Sequence, residues 1–114
     1  MTKLSTHVLD ISRGQPAAGL PVRLEVGDGA DRWVVMTNGM THEDGRVPQL
    51  LPDGINLEAK RYRLTFDTGT YFRACGEKSF YPIVTVHFEI ADPAQHYHVP
   101  LLLSPFGYST YRGS

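Results

Sequence analysis

The chain carries one cysteine, Cys75, in 114 residues. An internal disulfide is therefore impossible, and a thiolate-rich metal site has no second sulfur to build on. Cys75 reads as a small buried or half-buried apolar residue. Long apolar runs are missing as well. Nothing approaches the roughly 20 apolar residues of a membrane-spanning helix, and Met1-Thr2-Lys3-Leu4-Ser5-Thr6-His7 lacks the apolar centre of a secretion signal. The closing Arg112-Gly113-Ser114 is not a Ser-Lys-Leu peroxisomal address. The expectation is a cytoplasmic protein without a membrane partner. An excess of one charge is also absent, since 11 Lys and Arg stand against 12 Asp and Glu. No general field draws in nucleic acid or an anionic surface, so partners must be selected by local chemistry.

Glycine and proline are plentiful, with 11 and 8 copies, and they fall between short apolar segments as in an all-β domain. Leu4 to Ile11 reads as a first strand, closed by the turn Arg13-Gly14-Gln15-Pro16. Val22 to Val26 and Trp33 to Thr37 form a hairpin across Gly27-Asp28-Gly29. Asp44-Gly45-Arg46 is a tight turn into a short Arg46-Val47 segment that Pro48 stops. Tyr62 to Asp67 alternates again, and Thr68 is placed to cap one or two helical turns holding Tyr71, Phe72 and Ala74. Pro82 to Ile90 alternates most clearly, His96 to Leu103 makes a seventh strand, and Pro105-Phe106-Gly107 turns into a last one ending near Tyr111. Seven to eight strands with one short helix, and no repeat or linker, imply a two-sheet sandwich in a single domain over residues 1–114.

Chemistry concentrates near the end of the chain. His96 and His98 share one strand face, opposite Tyr97 and Val99, so they look either to water or to another subunit. Tyr111, Arg112 and Ser114 place a phenol, a guanidinium, a hydroxyl and the terminal carboxylate in one short stretch. His7 lies in the first strand with Ser5 and Leu9 on its face. His42 and His87 read as solvated side chains. His-x-His is a metal-ligand spacing to which His7 could add a third imidazole, but no carboxylate or thiol accompanies it, and the expectation is no metal. Ser109 and Ser114 lie outside any Gly-x-Ser-x-Gly elbow, and no glycine-rich phosphate cradle is present. An imidazole near neutrality beside a guanidinium suits activation of water against a polarised carbonyl.

The segments Leu4 to Asp10, Gly14-Gln15-Pro16-Ala17, Thr41-His42-Glu43-Asp44-Gly45-Arg46, and His96 to Pro105 running on to Tyr111-Arg112-Gly113-Ser114 together resemble the 5-hydroxyisourate hydrolases of the transthyretin-like family. The C-terminal Tyr-Arg-Gly-Ser discriminates, because the carrier transthyretin shares the fold and not this ending. The resemblance implies a prealbumin-like sandwich of two four-stranded sheets. It implies a homotetramer with two active sites per channel, and cofactor-free hydrolysis of 5-hydroxyisourate to 2-oxo-4-hydroxy-4-carboxy-5-ureidoimidazoline in urate degradation. Carried over by position, the site falls on His7, Arg46, His98 and the tail. His7 and His98 would bracket the water, Arg46 would hold the substrate and the oxyanion, and Ser114 would close the pocket and orient an imidazole. Tyr111, Arg112 and Gly113 would fix the tail and bind substrate. His42 departs from the small polar residue expected before the Asp-Gly-Arg turn. Two rival roles are a transthyretin-type small-molecule carrier and a purely structural sandwich.

Overall fold

Period-two burial along the first strand sorts its residues cleanly: Leu4, Thr6, Val8 and Asp10 point inward, while Ser5, His7 and Leu9 lie half-exposed on the other face. In the computed structural model, which describes residues 3–113, the elements are β1 (Lys3–Asp10), β2 (Gln15–Pro16), β3 (Pro21–Gly27), β4 (Trp33–Met40), β5 (Arg61–Phe66), α1 (Thr68–Ala74), β6 (Val84–Glu89), β7 (His96–Ser104) and β8 (Gly107–Thr110). They form two four-stranded sheets, ordered β2-β1-β7-β8 and β4-β3-β5-β6. The eight strands and one helix match the expected sandwich.

Val8, Leu20, Leu24, Leu64, Phe66 and Leu101 are wholly buried between the sheets. Each such side chain contributes about 1.5–3 kcal/mol through the area it removes from water. Inward-facing Thr6 is tolerated because its hydroxyl donates to the Val99 carbonyl at 2.7 Å.

Two local expectations are corrected. Gln15 and Pro16, read as part of a turn, pair with Asp10 and Leu9 as a two-residue edge strand, which is too short to display any periodicity. Arg46-Val47 stays the short segment expected, in which Arg46 makes a single bridge to His7. The cap of α1 is Asp67, not Thr68: its carboxylate accepts from the Thr70 amide at 3.2 Å and from the Thr70 hydroxyl at 2.8 Å. Thr68 is already the first helical residue, buried, and its hydroxyl donates to the Tyr81 carbonyl at 2.7 Å.

Asp10 is a wholly buried and fully engaged polar group. Its carboxylate accepts from the Ser12 amide and hydroxyl, the Arg13 amide and, at 2.7 Å, the Tyr71 hydroxyl. Burial alone would raise its pKa, but the hydrogen bonds from Ser12, Tyr71 and Arg13 together hold it below the usual carboxylate value. Burial and the adjoining carboxylate push the Tyr71 hydroxyl upward, so it stays a donor. This bond ties α1 to the end of β1.

Pro100 stands inside β7, where a proline is normally excluded. The direction of its neighbours explains it. The His98 carbonyl accepts from Gly113 and the Pro100 carbonyl accepts from the Thr110 hydroxyl, so the missing Pro100 amide lies on the β8 side. There the regular pairing stops at Leu101↔Thr110 and resumes only as the isolated bridge His98↔Gly113.

Candidate active site

The parallel register of β1 and β7 sets Lys3 beside His96, Ser5 beside His98 and His7 beside Pro100. These residues share the outward face of the first sheet. Ser5 Oγ lies 2.7 Å from His98 Nδ1. On its other flank the imidazole is covered by Gly113, whose amide donates to the His98 carbonyl at 2.8 Å. A Cβ at position 113 would fall 2.5 Å from His98 Cδ2, so only glycine lets the tail lie this close to the ring.

His7 is held by the turn that follows β4. Gly45 adopts φ +80°, and a Cβ there would collide with the Val8 carbonyl oxygen and sit 3.2 Å from His7 Cδ2. Both the left-handed backbone and the close approach require glycine. The turn's Asp44 carbonyl lies 2.7 Å from His7 Nε2. A carbonyl oxygen can only accept, so Nε2 carries the proton and donates, leaving Nδ1 as the nitrogen able to take one. His42 contributes only backbone, its amide donating to the Arg46 carbonyl at 2.8 Å and its carbonyl accepting from Gly45 at 2.9 Å. Its side chain is exposed, so the substitution of a small polar residue leaves the turn geometry intact.

A cleft of about 890 Å³ opens over this surface, lined by Ser5, Arg46, His96 and His98 and walled by the segment from Gln49 to Asn56. Arg46 is exposed. Among the described residues no ion pair or hydrogen bond engages its guanidinium, which is free for an anionic or carbonyl oxygen. Burial first, then the Arg46 charge and then His7, lower the His98 pKa below the ordinary 6.5, with a hydrogen bond to the Ser5 backbone acting the other way. His98 is therefore neutral at pH 7, as a base must be. Among the described residues no group of three or more His, Cys, Asp or Glu side chains is placed to hold a metal ion.

The tail divides. Gly113 reaches His98, but Arg112 turns to the opposite side, where its guanidinium stacks 4.7 Å over the Tyr97 ring and donates to Gln95 Oε1 at 2.8 Å. Among the described residues Arg112 thus anchors the tail and does not line the cleft. Tyr111 is exposed. Ser114 lies outside the described residues. Two contributors escaped the sequence reading of the site. The Gln49–Asn56 wall lacks any periodic signal. Ser5 was visible as a hydroxyl on the face of His7, but its partner could be identified only from the β1–β7 register.

Residues 4–113 match the HIUase/Transthyretin family. Relatives include 5-hydroxyisourate hydrolase 2 of Rhizobium meliloti (strain 1021), 47% identical over 116 residues, with 98% of this chain and 96% of the relative covered. Among solved structures, Klebsiella pneumoniae 5-hydroxyisourate hydrolase superposes with a TM-score of 0.85 at 39% identity, covering 100% of this chain and 94% of the other. Sea bream transthyretin in complex with thyroxine superposes with a TM-score of 0.89 at 29% identity, covering 96% and 93%.

Proposed function

Because the chain belongs to the HIUase/Transthyretin family, and because the His98 imidazole and a guanidinium that no described residue engages line one cleft, we propose that it hydrolyses 5-hydroxyisourate with His98 as general base. Nε2 of His98 takes a proton from water as the oxygen attacks the ring carbonyl. Arg46 donates to the oxygen on which charge collects. The amide carbon–nitrogen bond then breaks and opens the ring, the nitrogen regains a proton, and the former carbonyl carbon stays in the product as a carboxylate. His7 does not itself line the cleft but bridges Arg46, which does; donating through Nε2 to the Asp44 carbonyl, it keeps Nδ1 as the nitrogen that would relay that proton. The observation that carries this reading is the convergence on one cleft of the Arg46 guanidinium and the His98 imidazole, whose Nδ1 lies 2.7 Å from Ser5 Oγ.

The test is an ultraviolet assay in which urate oxidase generates 5-hydroxyisourate and its decay is timed with and without the protein, and with a chelator. Acceleration insensitive to chelator is expected of cofactor-free hydrolysis; unchanged decay would rule the activity out. The acid limb of kcat/KM should lie below pH 6.5, because His98 titrates below that value. Arg46→Gln removes a neighbouring positive charge, so protonation of His98 becomes easier and the limb should move to higher pH in a pH–rate profile. A carrier of aromatic ligands is disfavoured, since Arg46, His96 and His98 would be desolvated without matching polar groups.

A homotetramer is the proposed assembly. β6 and β8 are edge strands, and Phe80, Ile83, Phe106 and Tyr108 are exposed apolar side chains near them. Their proximity is marked by Phe80 donating to the Pro105 carbonyl at 2.8 Å and by the Tyr81 and Tyr108 rings 5.2 Å apart. Open edges and apolar patches of this kind are usually covered. Light scattering should give four times the 12.7 kDa chain mass; a monomer at micromolar concentration would contradict it. Among the described residues no helix is long and apolar enough to cross a membrane, and the proposed compartment is the cytoplasm, testable by cell fractionation.

A further inference from the structure

We propose that Ser5 is a positioning residue for His98: Nδ1–H donates to Ser5 Oγ, which leaves Nε2 as the nitrogen that accepts the proton of the attacking water. The proposal rests on the cleft being the hydrolytic site. Ser5 and His98 are 93 positions apart in sequence yet directly opposed in the β1–β7 ladder, with Oγ and Nδ1 2.7 Å apart. This is no chance contact of long, mobile side chains. Serine has a single rotatable bond before its oxygen, and both backbones are fixed by the ladder. Gly113 closes the opposite flank, so turning the ring over would forfeit the bond to Ser5 with none on offer at the glycine.

Both tautomers of a neutral imidazole can bond a hydroxyl, and the charge in the cleft selects one. Arg46 shares the cleft with His98, and its positive charge favours a lone pair over an N–H on the ring nitrogen left free there. A proton on Nδ1 is then matched by a lone pair of Oγ. His7 is fixed in the opposite sense, because the Asp44 carbonyl requires the proton on Nε2. The two imidazoles therefore present different nitrogens for chemistry, Nδ1 of His7 and Nε2 of His98. A histidine with its second nitrogen left unheld would divide its population between tautomers, and only one of them can act as the base.

The experiment pairs nitrogen-detected NMR of ring-labelled histidine with kinetics. The His98 ring in the wild-type protein should show Nδ1–H at neutral pH, and Ser5→Ala should convert it to a mixture. The same variant should lose on the order of 10- to 100-fold in kcat, taking as a guide the range found when the partner orienting a metal-bound histidine is removed, with little change in KM. Ser5→Thr, which keeps the hydroxyl, should restore tautomer and rate. An Nε2–H tautomer in the wild-type protein, or a Ser5→Ala variant with unchanged spectrum and kinetics, would overturn the proposal. So would a covalent adduct on Ser5 in rapidly quenched turnover, which would make it a nucleophile. If instead His98→Ala hydrolyses the substrate normally, the reading of the cleft fails while the tautomer measurement still stands on its own.

Discussion

His98→Ala is expected to lower kcat/KM for 5-hydroxyisourate by about 10²- to 10⁴-fold, the range over which a positioned acid–base group acts, with the sandwich intact. The loss should fall on kcat, because the imidazole is asked to move a proton in the transition state rather than to hold the substrate at rest. The fold should survive because His98 is half-exposed on the outward face, and the bond that secures the tail uses its backbone carbonyl. The acid limb seen in the wild-type profile should vanish with the group that creates it. Circular dichroism and light scattering on the same sample separate chemistry from unfolding. Wild-type kinetics in a folded variant would remove His98 from the mechanism.

Asp10→Ala is expected to cost about 3 kcal/mol of stability, since it strands the Tyr71 hydroxyl and the Ser12 and Arg13 amides that the carboxylate now accepts from. In a chain of this size that corresponds to a fall in Tm on the order of 10 °C. The carboxylate is fully buried, so water cannot replace it without opening the junction of β1 and α1. A linked pH effect has a definite sign. With the folded-state pKa depressed below 3.8, Asp10 contributes stability that is complete above that unfolded value and is lost as pH falls through the folded one. Asp10→Ala should therefore flatten the acid end of the wild-type stability curve. Thermal melts from pH 2 to pH 7 would check both, and a change in Tm too small to resolve at neutral pH would refute the role given to this cluster.

Alternation made the long strands legible: β1 and β5 sort their side chains as a period of two requires, and β7 does so except at Pro100, which is buried on the outward face. The Asp-Gly-Arg turn was legible because Gly45 must adopt a positive φ, and that turn is what brings Arg46 to His7. Less legible were features set by pairing. Which residue lies beside His98 depends on a parallel register between strands at opposite ends of the chain, and nothing local to either encodes it. The tail exposes a similar limit. Tyr111 to Ser114 looked like one chemical cluster, yet with Gly113 opposite His98 and the ladder interrupted at Pro100, Arg112 falls on the far side and stacks on Tyr97. The α1 cap was misplaced by one residue because Asp67 and Thr68 are both good capping types, and only the end of β5 at Phe66 decides between them.

The eight-pair parallel ladder between β1 and β7 also governs how the protein comes into being. During synthesis β1 emerges ahead of β7 and must wait for the chain to grow by 93 residues before its neighbour exists. Until then it offers the ribosome's surroundings an unpaired apolar strand that invites chaperones or wrong partners. Contacts spanning so much of the chain also slow folding. The newborn enzyme is thus silent until β7 has been made, and any premature stop upstream of β7 yields a product that lacks the ladder's second half and with it every prospect of turnover.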